Sequence, residues 1–179
     1  MSRQYFEDAP YADPAISNAT AVTATTETKL WDVLTFTPIP AGDMRAGKIY
    51  RLTAGGILST GASGTLIITP RVGTSTAGTT LGASGAQTVP VSVTNAAWFM
   101  QATLTIRTTG IPGTNGTAML NGAFWADGAI ATAGSAFVVA FGGTSAAIDT
   151  TIAQGLCMGW TLSVAGSCTP QTIIWQSLN

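Results

Sequence analysis

The stretch AWFMQATLTIRTTG, residues 97–110, alternates apolar and polar side chains at every second position. The apolar row consists of Trp98, Met100, Ala102, Leu104 and Ile106. The polar row consists of Gln101, Thr103, Thr105 and Arg107. A period of two is typical of a β-strand with one buried face, whereas an amphipathic helix repeats every 3.6 residues. The alternation therefore predicts a half-buried strand, and no amphipathic helix of about ten residues stands out in the chain.

Short β-rich runs separated by glycine, proline and asparagine continue through most of the sequence. Their spacing is typical of a β-sandwich or barrel. The predicted strands are 29–37, 48–54, 64–72, 88–94, 98–108, 117–125, 136–141, 156–164 and 172–178. We therefore expect an all-β domain of about eight strands, over residues 29–179.

Residues 1–28 differ from the rest of the chain. They contain three aromatic side chains, Tyr5, Phe6 and Tyr11, in a polar context without periodicity. Pro10 and Pro14 disfavour helix at and before their positions. We predict an extended N-terminal arm whose aromatic residues dock either on their own domain or, as we favour, on a neighbouring chain.

Charged residues are scarce in this chain. They make up 8% of the sequence, with a formal net charge of −1, against roughly 25% in average globular domains. Without a basic run, nucleic acid and membrane surfaces are poor candidates for partners. A surface with so little charge is also weakly protected against self-association. The composition suits a chain that packs against copies of itself or against a larger body.

The segment GTSTAGTTLGASGAQ, residues 73–87, is long and built of small residues. It is too long for a tight turn, and we interpret it as either a wandering loop or a weakly paired sheet edge. It opens no helix and contains no GxxxxGK[ST] pattern, so phosphate binding is not indicated.

Neither a transmembrane helix nor a signal peptide is indicated. No apolar run approaches the roughly 20 residues that span a bilayer. The first residues, MSRQYFEDAPYADP, contain acids and prolines where a signal peptide needs an apolar core. The sequons at Asn18 and Asn115 are accordingly expected to be unused.

Cys157 and Cys168 are expected to be free. If residues 155–166 form one strand that leads into a turn, the two cysteines lie roughly 30 Å apart. A disulfide needs Cα atoms within about 7 Å. Two thiols without histidine are also too few for a metal site.

The sequence offers little catalytic chemistry, because it has no histidine. This excludes a Ser-His-Asp triad, a Cys-His pair and most zinc sites. Carboxylate pairs could form among four aspartates, Asp32, Asp43, Asp127 and Asp149. Asp43, Asp127 and Asp149 lie beside glycine, proline or small residues, where aspartate typically bonds its own backbone in turns. We therefore expect neither an enzyme nor a bound cofactor.

The five tryptophans, at positions 31, 98, 125, 160 and 175, could line a sugar groove. Trp98 and Trp160 fall on predicted apolar faces, so we favour core packing. Arg71 and Arg107 stand at or near the ends of outward rows. Each is either a solvated charge that protects a sheet edge or a contact between subunits.

Three segments carry a family resemblance. They are AGKIYRLTAGGILST at residues 46–60, TNAAWFMQATLTIRTTG at residues 94–110, and the pattern TIAQ…GWTLS…TIIWQ near the C-terminus. In this order they resemble the jelly-roll decoration proteins, also called auxiliary or cement proteins, of tailed-bacteriophage capsids. The resemblance covers residues 46–179 and includes no catalytic signature.

The resemblance implies an antiparallel two-sheet β-sandwich of the jelly-roll type. It implies homotrimers on the outer surface of the virion, bound to the major capsid protein after synthesis in the host cytoplasm. The N-terminal arm is then the part that reaches the shell, and Tyr5, Phe6, Tyr11, Arg71 and Arg107 are candidate interface residues.

Two other functions stay open. The first is a receptor- or glycan-binding β-sandwich module of a phage tail or head fibre, which would use exposed aromatic side chains. The second is a small carbohydrate-active enzyme, which requires two of the four aspartates to converge in a cleft.

Overall fold

The computed structural model describes residues 11–12, 26–30, 39–73, 78–112, 116–127 and 136–178. Within these ranges every regular element is a β-strand, and no helix is long and apolar enough to cross a membrane. Tyr5, Phe6, Trp31, Asp32 and the two sequon asparagines, Asn18 and Asn115, lie outside the described residues.

Eleven strands are present among the described residues. They are β1 (Tyr11–Ala12), β2 (Thr28–Lys29), β3 (Ile49–Thr60), β4 (Gly64–Gly73), β5 (Thr79–Thr80), β6 (Gln87–Val89), β7 (Val93–Thr108), β8 (Gly116–Asp127), β9 (Ala136–Ile148), β10 (Gly155–Leu162) and β11 (Gly166–Ser177). The predicted number was about eight. Seven of the eleven strands are eight to sixteen residues long. The other four, β1, β2, β5 and β6, are only two or three residues long and leave no periodic pattern in the sequence.

The strands form two antiparallel sheets packed face to face. The first has six strands in the order β1-β11-β3-β7-β8-β9. The second has five, with β2-β10-β4-β5 in order and β6 also pairing with β4. The predicted all-β, antiparallel two-sheet sandwich is therefore confirmed.

Two nested strand pairs connect the sheets. β3 pairs with β11 in the six-stranded sheet, and β4 pairs with β10 in the five-stranded sheet. The chain crosses between the sheets at residues 61–63 and again at residues 163–165. Strands β7, β8 and β9 then extend the six-stranded sheet as a meander.

The core lies between the sheets and consists of the apolar rows that the alternation predicts. Phe124 of β8 packs edge-to-face on Trp160 of β10, with ring centroids 5.3 Å apart. Trp98 also contacts Phe124, and Trp175 stacks on Tyr50. The predicted row on β7 is buried throughout: Trp98, Met100, Ala102, Leu104 and Ile106. Burial of such rings and branched chains on both inner faces holds the two sheets together.

The predicted strand 88–94 is wrong as one element. β6 ends at Val89 and β7 begins at Val93, with Pro90 between them. Ser92 and Asn95 have positive φ angles of 55° and 51°, which few non-glycine residues adopt. The backbone therefore turns here and passes from one sheet to the other.

The two cysteines are free and buried, as predicted, but the assumed geometry is wrong. β10 ends at Leu162 instead of continuing towards Cys168. Cys168 lies in β11 opposite Leu58, in the other sheet from Cys157. Burial raises the pKa of the Cys168 thiol well above its ordinary value.

Residues 78–89 form the weakly paired edge that was one of the two alternatives for this segment. They run along β4 through β5 and β6. Between these strands, Leu81 N donates to Pro70 O and Ser84 N donates to Ile68 O. The Ser84 hydroxyl accepts a hydrogen bond from Ile68 N at 2.9 Å, and Leu81 is fully buried. Between β5 and β6, burial of Leu81 and the hydrogen bonds of Ser84 therefore hold the segment on β4 in place of regular strand pairing.

We predict that Ser84→Ala lowers the free energy of unfolding by about 1–3 kcal/mol, because the buried Ile68 N–H would lose its partner. Urea denaturation followed by tryptophan fluorescence measures this. Ser63→Ala, in the exposed turn between β3 and β4, is the control and should change stability by less than about 0.5 kcal/mol. Equal stabilities of the two variants would contradict the bridging role of Ser84.

Candidate functional site

Three exposed apolar side chains form a row across the outer face of the six-stranded sheet. They are Phe99 of β7, Trp125 of β8 and Val138 of β9, with exposed fractions of 44%, 36% and 49%. Phe99 is the strand partner of Trp125, and Trp125 is the strand partner of Val138. We call these three residues the aromatic row.

The pleat of the sheet places the aromatic row outwards. Trp98 and Phe124, the sequence neighbours of Phe99 and Trp125, point into the core, so Phe99 and Trp125 must lie on the opposite face. Their rings are 5.6 Å apart and tilted by 30°. Each ring therefore supports the other while leaving one side available to a partner.

The surroundings of the aromatic row are small and nearly uncharged. The adjacent strand-paired positions are Gln101, Ala123 and Ala140. Asp127, two residues after Trp125 at the end of β8, is exposed on the side of the aromatic row opposite to these positions. Such a surface offers apolar contact area with little cost of charge desolvation.

The sequence contained the signal for this row, since alternation alone assigns Phe99 to the outer face. The predicted rows of residues 97–110 included the inner side chains and the polar outer ones but not Phe99. Trp125 was counted with the tryptophans expected in the core. Trp98, Trp160 and Trp175 are buried there, and Trp125 is the exception among the four described.

A second feature links the N-terminal region to the five-stranded sheet. Arg71, on the outer face of β4, binds Glu27 in a bidentate ion pair: Nε to Oε1 at 2.7 Å and Nη2 to Oε2 at 2.6 Å. Its Nη1 donates to Gly78 O at 3.0 Å and to the Thr80 hydroxyl at 2.9 Å. We call the Glu27–Arg71 pair the clasp. Side chains of this pair are about a quarter exposed.

Hydrogen bonding within the clasp shifts the pKa values of both side chains. The Arg71 guanidinium holds the pKa of the Glu27 carboxyl below its ordinary value, and partial burial opposes this effect. The Glu27 carboxylate in turn raises the pKa of Arg71. Glu27 is therefore ionised at neutral pH, and the pair weakens only in acid.

Of the other predicted interface residues, Tyr5 and Phe6 lie outside the described residues, and Arg107 and Tyr11 belong to the other sheet from Arg71. Arg107 is exposed near the end of β7, in the six-stranded sheet. The backbone of Tyr11 pairs with Trp175 of the same chain. The neighbouring-chain role of these residues stays a prediction, and Arg71 is engaged within its own chain.

Two of the three described aspartates, Asp43 and Asp149, bind groups close to them in sequence. Asp149 accepts hydrogen bonds from the backbone and hydroxyl of Thr151, at 2.9 and 2.6 Å. Asp43 accepts from the Tyr50 hydroxyl at 2.8 Å and pairs with Lys48. Among the described residues no group of three or more potential ligands could hold a metal ion. The turn role predicted for Asp149 is confirmed.

Comparison with family models, curated proteins and solved structures finds no match to this chain.

We predict that Glu27→Gln lowers the free energy of unfolding at pH 7 by up to about 1 kcal/mol, the usual upper value for a partly exposed ion pair. The folded-state pKa of Glu27 is lowered, so the clasp stabilises the fold above the ordinary glutamate pKa of about 4.3. This contribution is lost as the pH falls through the lowered value.

Urea denaturation of wild type and Glu27→Gln at pH 7 and pH 3 measures the effect. The difference should shrink in acid, and a difference independent of pH would contradict the assignment. Asp127→Asn removes an exposed carboxylate elsewhere and should change stability at pH 7 by less than about 0.5 kcal/mol.

Proposed function

We propose that the protein is a structural virion component, a decoration or cement protein that binds the outside of a bacteriophage head and stabilises it. The observation that carries the proposal is the aromatic row, an exposed apolar strip on a sheet face whose adjacent paired positions are Gln101, Ala123 and Ala140. In this proposal the row contacts the major capsid protein, and the protein assembles as a homotrimer.

Summed weak contacts would supply the stabilisation. A standard protein interface buries roughly 1,600 Å², and every copy bound across neighbouring capsomers adds such an area. Because the copies act together on one shell, modest individual affinities combine into strong resistance to expansion. No covalent chemistry is required.

We predict that replacing Phe99 and Trp125 by serine reduces binding to heads that lack the protein by at least about tenfold, since two aromatic contacts would be lost. Sedimentation of heads with bound protein measures this. Val91→Ser is the control, because Val91 is also exposed, at 53%, but lies outside the sheets. Unchanged binding of the double variant would show that the aromatic row is not part of the interface with the head.

Deletion of residues 1–28 tests the arm. We expect the truncated protein to remain folded, because the described core residues lie between Leu30 and Trp175, and to lose binding to heads. Binding equal to that of the full chain would exclude the arm from docking.

Light scattering tests the proposed assembly. The monomer mass is 18.2 kDa, and a trimer would have three times that mass, 54.6 kDa. A mass of 54.6 kDa supports a preformed trimer, and 18.2 kDa at all concentrations contradicts it.

The alternative proposal is a glycan- or receptor-binding module, which the exposed rings of Phe99 and Trp125 favour. Aromatic faces on a flat sheet can stack on the apolar face of a sugar. A glycan array, together with quenching of the protein's tryptophan fluorescence by the sugars that bind, distinguishes the two proposals. No signal from either method, with binding to heads intact, would retire this alternative.

A further inference from the structure

The segment of residues 26–30 joins the N-terminal arm to the sandwich through few contacts. We call it the strap. Its strand, β2, pairs with β10 over only two residues. Leu30 N donates to Met158 O at 3.0 Å, and the Leu30 side chain is buried. N-terminal to Leu30, the side chain that ties the strap to the sheet most strongly is Glu27.

The five-stranded sheet is shaped to receive the Glu27 carboxylate. Gly159 of β10 lies directly beneath it, and a Cβ at this position would collide with the carboxylate. Arg71 reaches the same point from β4, because its strand partner is Cys157, two residues before Gly159. Gly159 and Arg71, on adjacent strands, therefore together form the binding site for the Glu27 side chain.

We propose that the clasp is a releasable latch for the strap. When it is closed, Glu27 and Arg71 hold the strap on β10. When it opens, the strap, including Leu30, detaches from β10 while the other strands of the two sheets stay paired. That the released strap lets the N-terminal region reach a capsid shell rests on the proposed function, whereas the latch itself does not.

Two chemical events open such a latch. One is protonation of Glu27, which removes its charge. The other is exchange, in which a carboxylate of a partner displaces Glu27 and forms the bidentate ion pair with Arg71 in its place. The groups that face Glu27 are Arg71 from β4, Lys29 from the strap itself and, beside Arg71, the Cys157 thiol from β10. Both cations favour the closed state at neutral pH.

Trypsin cleavage after Lys29 reports the open state, because a protease needs this segment detached from β10. The digest uses the full-length protein at pH 7.5, and mass spectrometry follows the cleavage after Lys29. Cleavage after Arg45 and Lys48, in the loop before β3, is the internal reference for the stability of the remaining fold.

Two variants open the latch by different means. Glu27→Gln removes the charge, and Gly159→Ala displaces the carboxylate while leaving both charges present. We expect each to accelerate cleavage after Lys29 about fivefold, the effect of one partly exposed ion pair on an opening equilibrium. Cleavage after Arg45 and Lys48 should not change. Asp127→Asn, which removes an exposed carboxylate from the six-stranded sheet, is the control and should leave Lys29 cleavage unchanged.

Equal cleavage after Lys29 in wild type and both variants would overturn the latch. Acceleration of all sites together would also overturn it, because it would indicate loss of the whole domain. Since the assay uses the isolated protein, failure to bind heads would count against the proposed function and leave the latch result standing.

Discussion

Every other feature of this protein depends on the packing of two antiparallel sheets around Phe124 and Trp160. Their edge-to-face contact joins β8 of one sheet to β10 of the other. Because side chains alternate along a strand, fixing the inner row also fixes the outer one. Burial of Trp98 thereby exposes Phe99, and burial of Phe124 exposes Trp125. The candidate interaction surface is a direct geometric consequence of the core.

The two outer faces of the sandwich differ in what covers them. On the six-stranded sheet the aromatic row is exposed beside Gln101, Ala123 and Ala140. On the five-stranded sheet the strap contributes Glu27, whose carboxylate lies over Gly159 and binds Arg71. One face is thus available for an apolar contact, whereas the other carries a polar attachment of the N-terminal region.

Much of the sandwich was predictable because the dominant signal is local. The inner row of β7 followed from alternation, which depends only on neighbouring residues. The predicted β-rich runs 64–72 and 156–164 largely coincide with β4 and β10. The short pairings were not predictable, since two residues carry no period. The anchoring of residues 78–89 along β4 was likewise only one of two alternatives, because it depends on Leu81 and Ser84 meeting a strand that is distant in sequence.

The sequence by itself determined the all-β class, the identity of most buried rows and the shortage of charge on the surface, because these properties follow from composition and a period of two. Only the tertiary structure decided which distant residues meet. Glu27 and Arg71 are 44 residues apart in the chain, and no local pattern connects them. Phe99, Trp125 and Val138 form a row only because β7, β8 and β9 pair in one register. Strand register and the crossing between sheets are long-range properties, and they create both the aromatic row and the clasp.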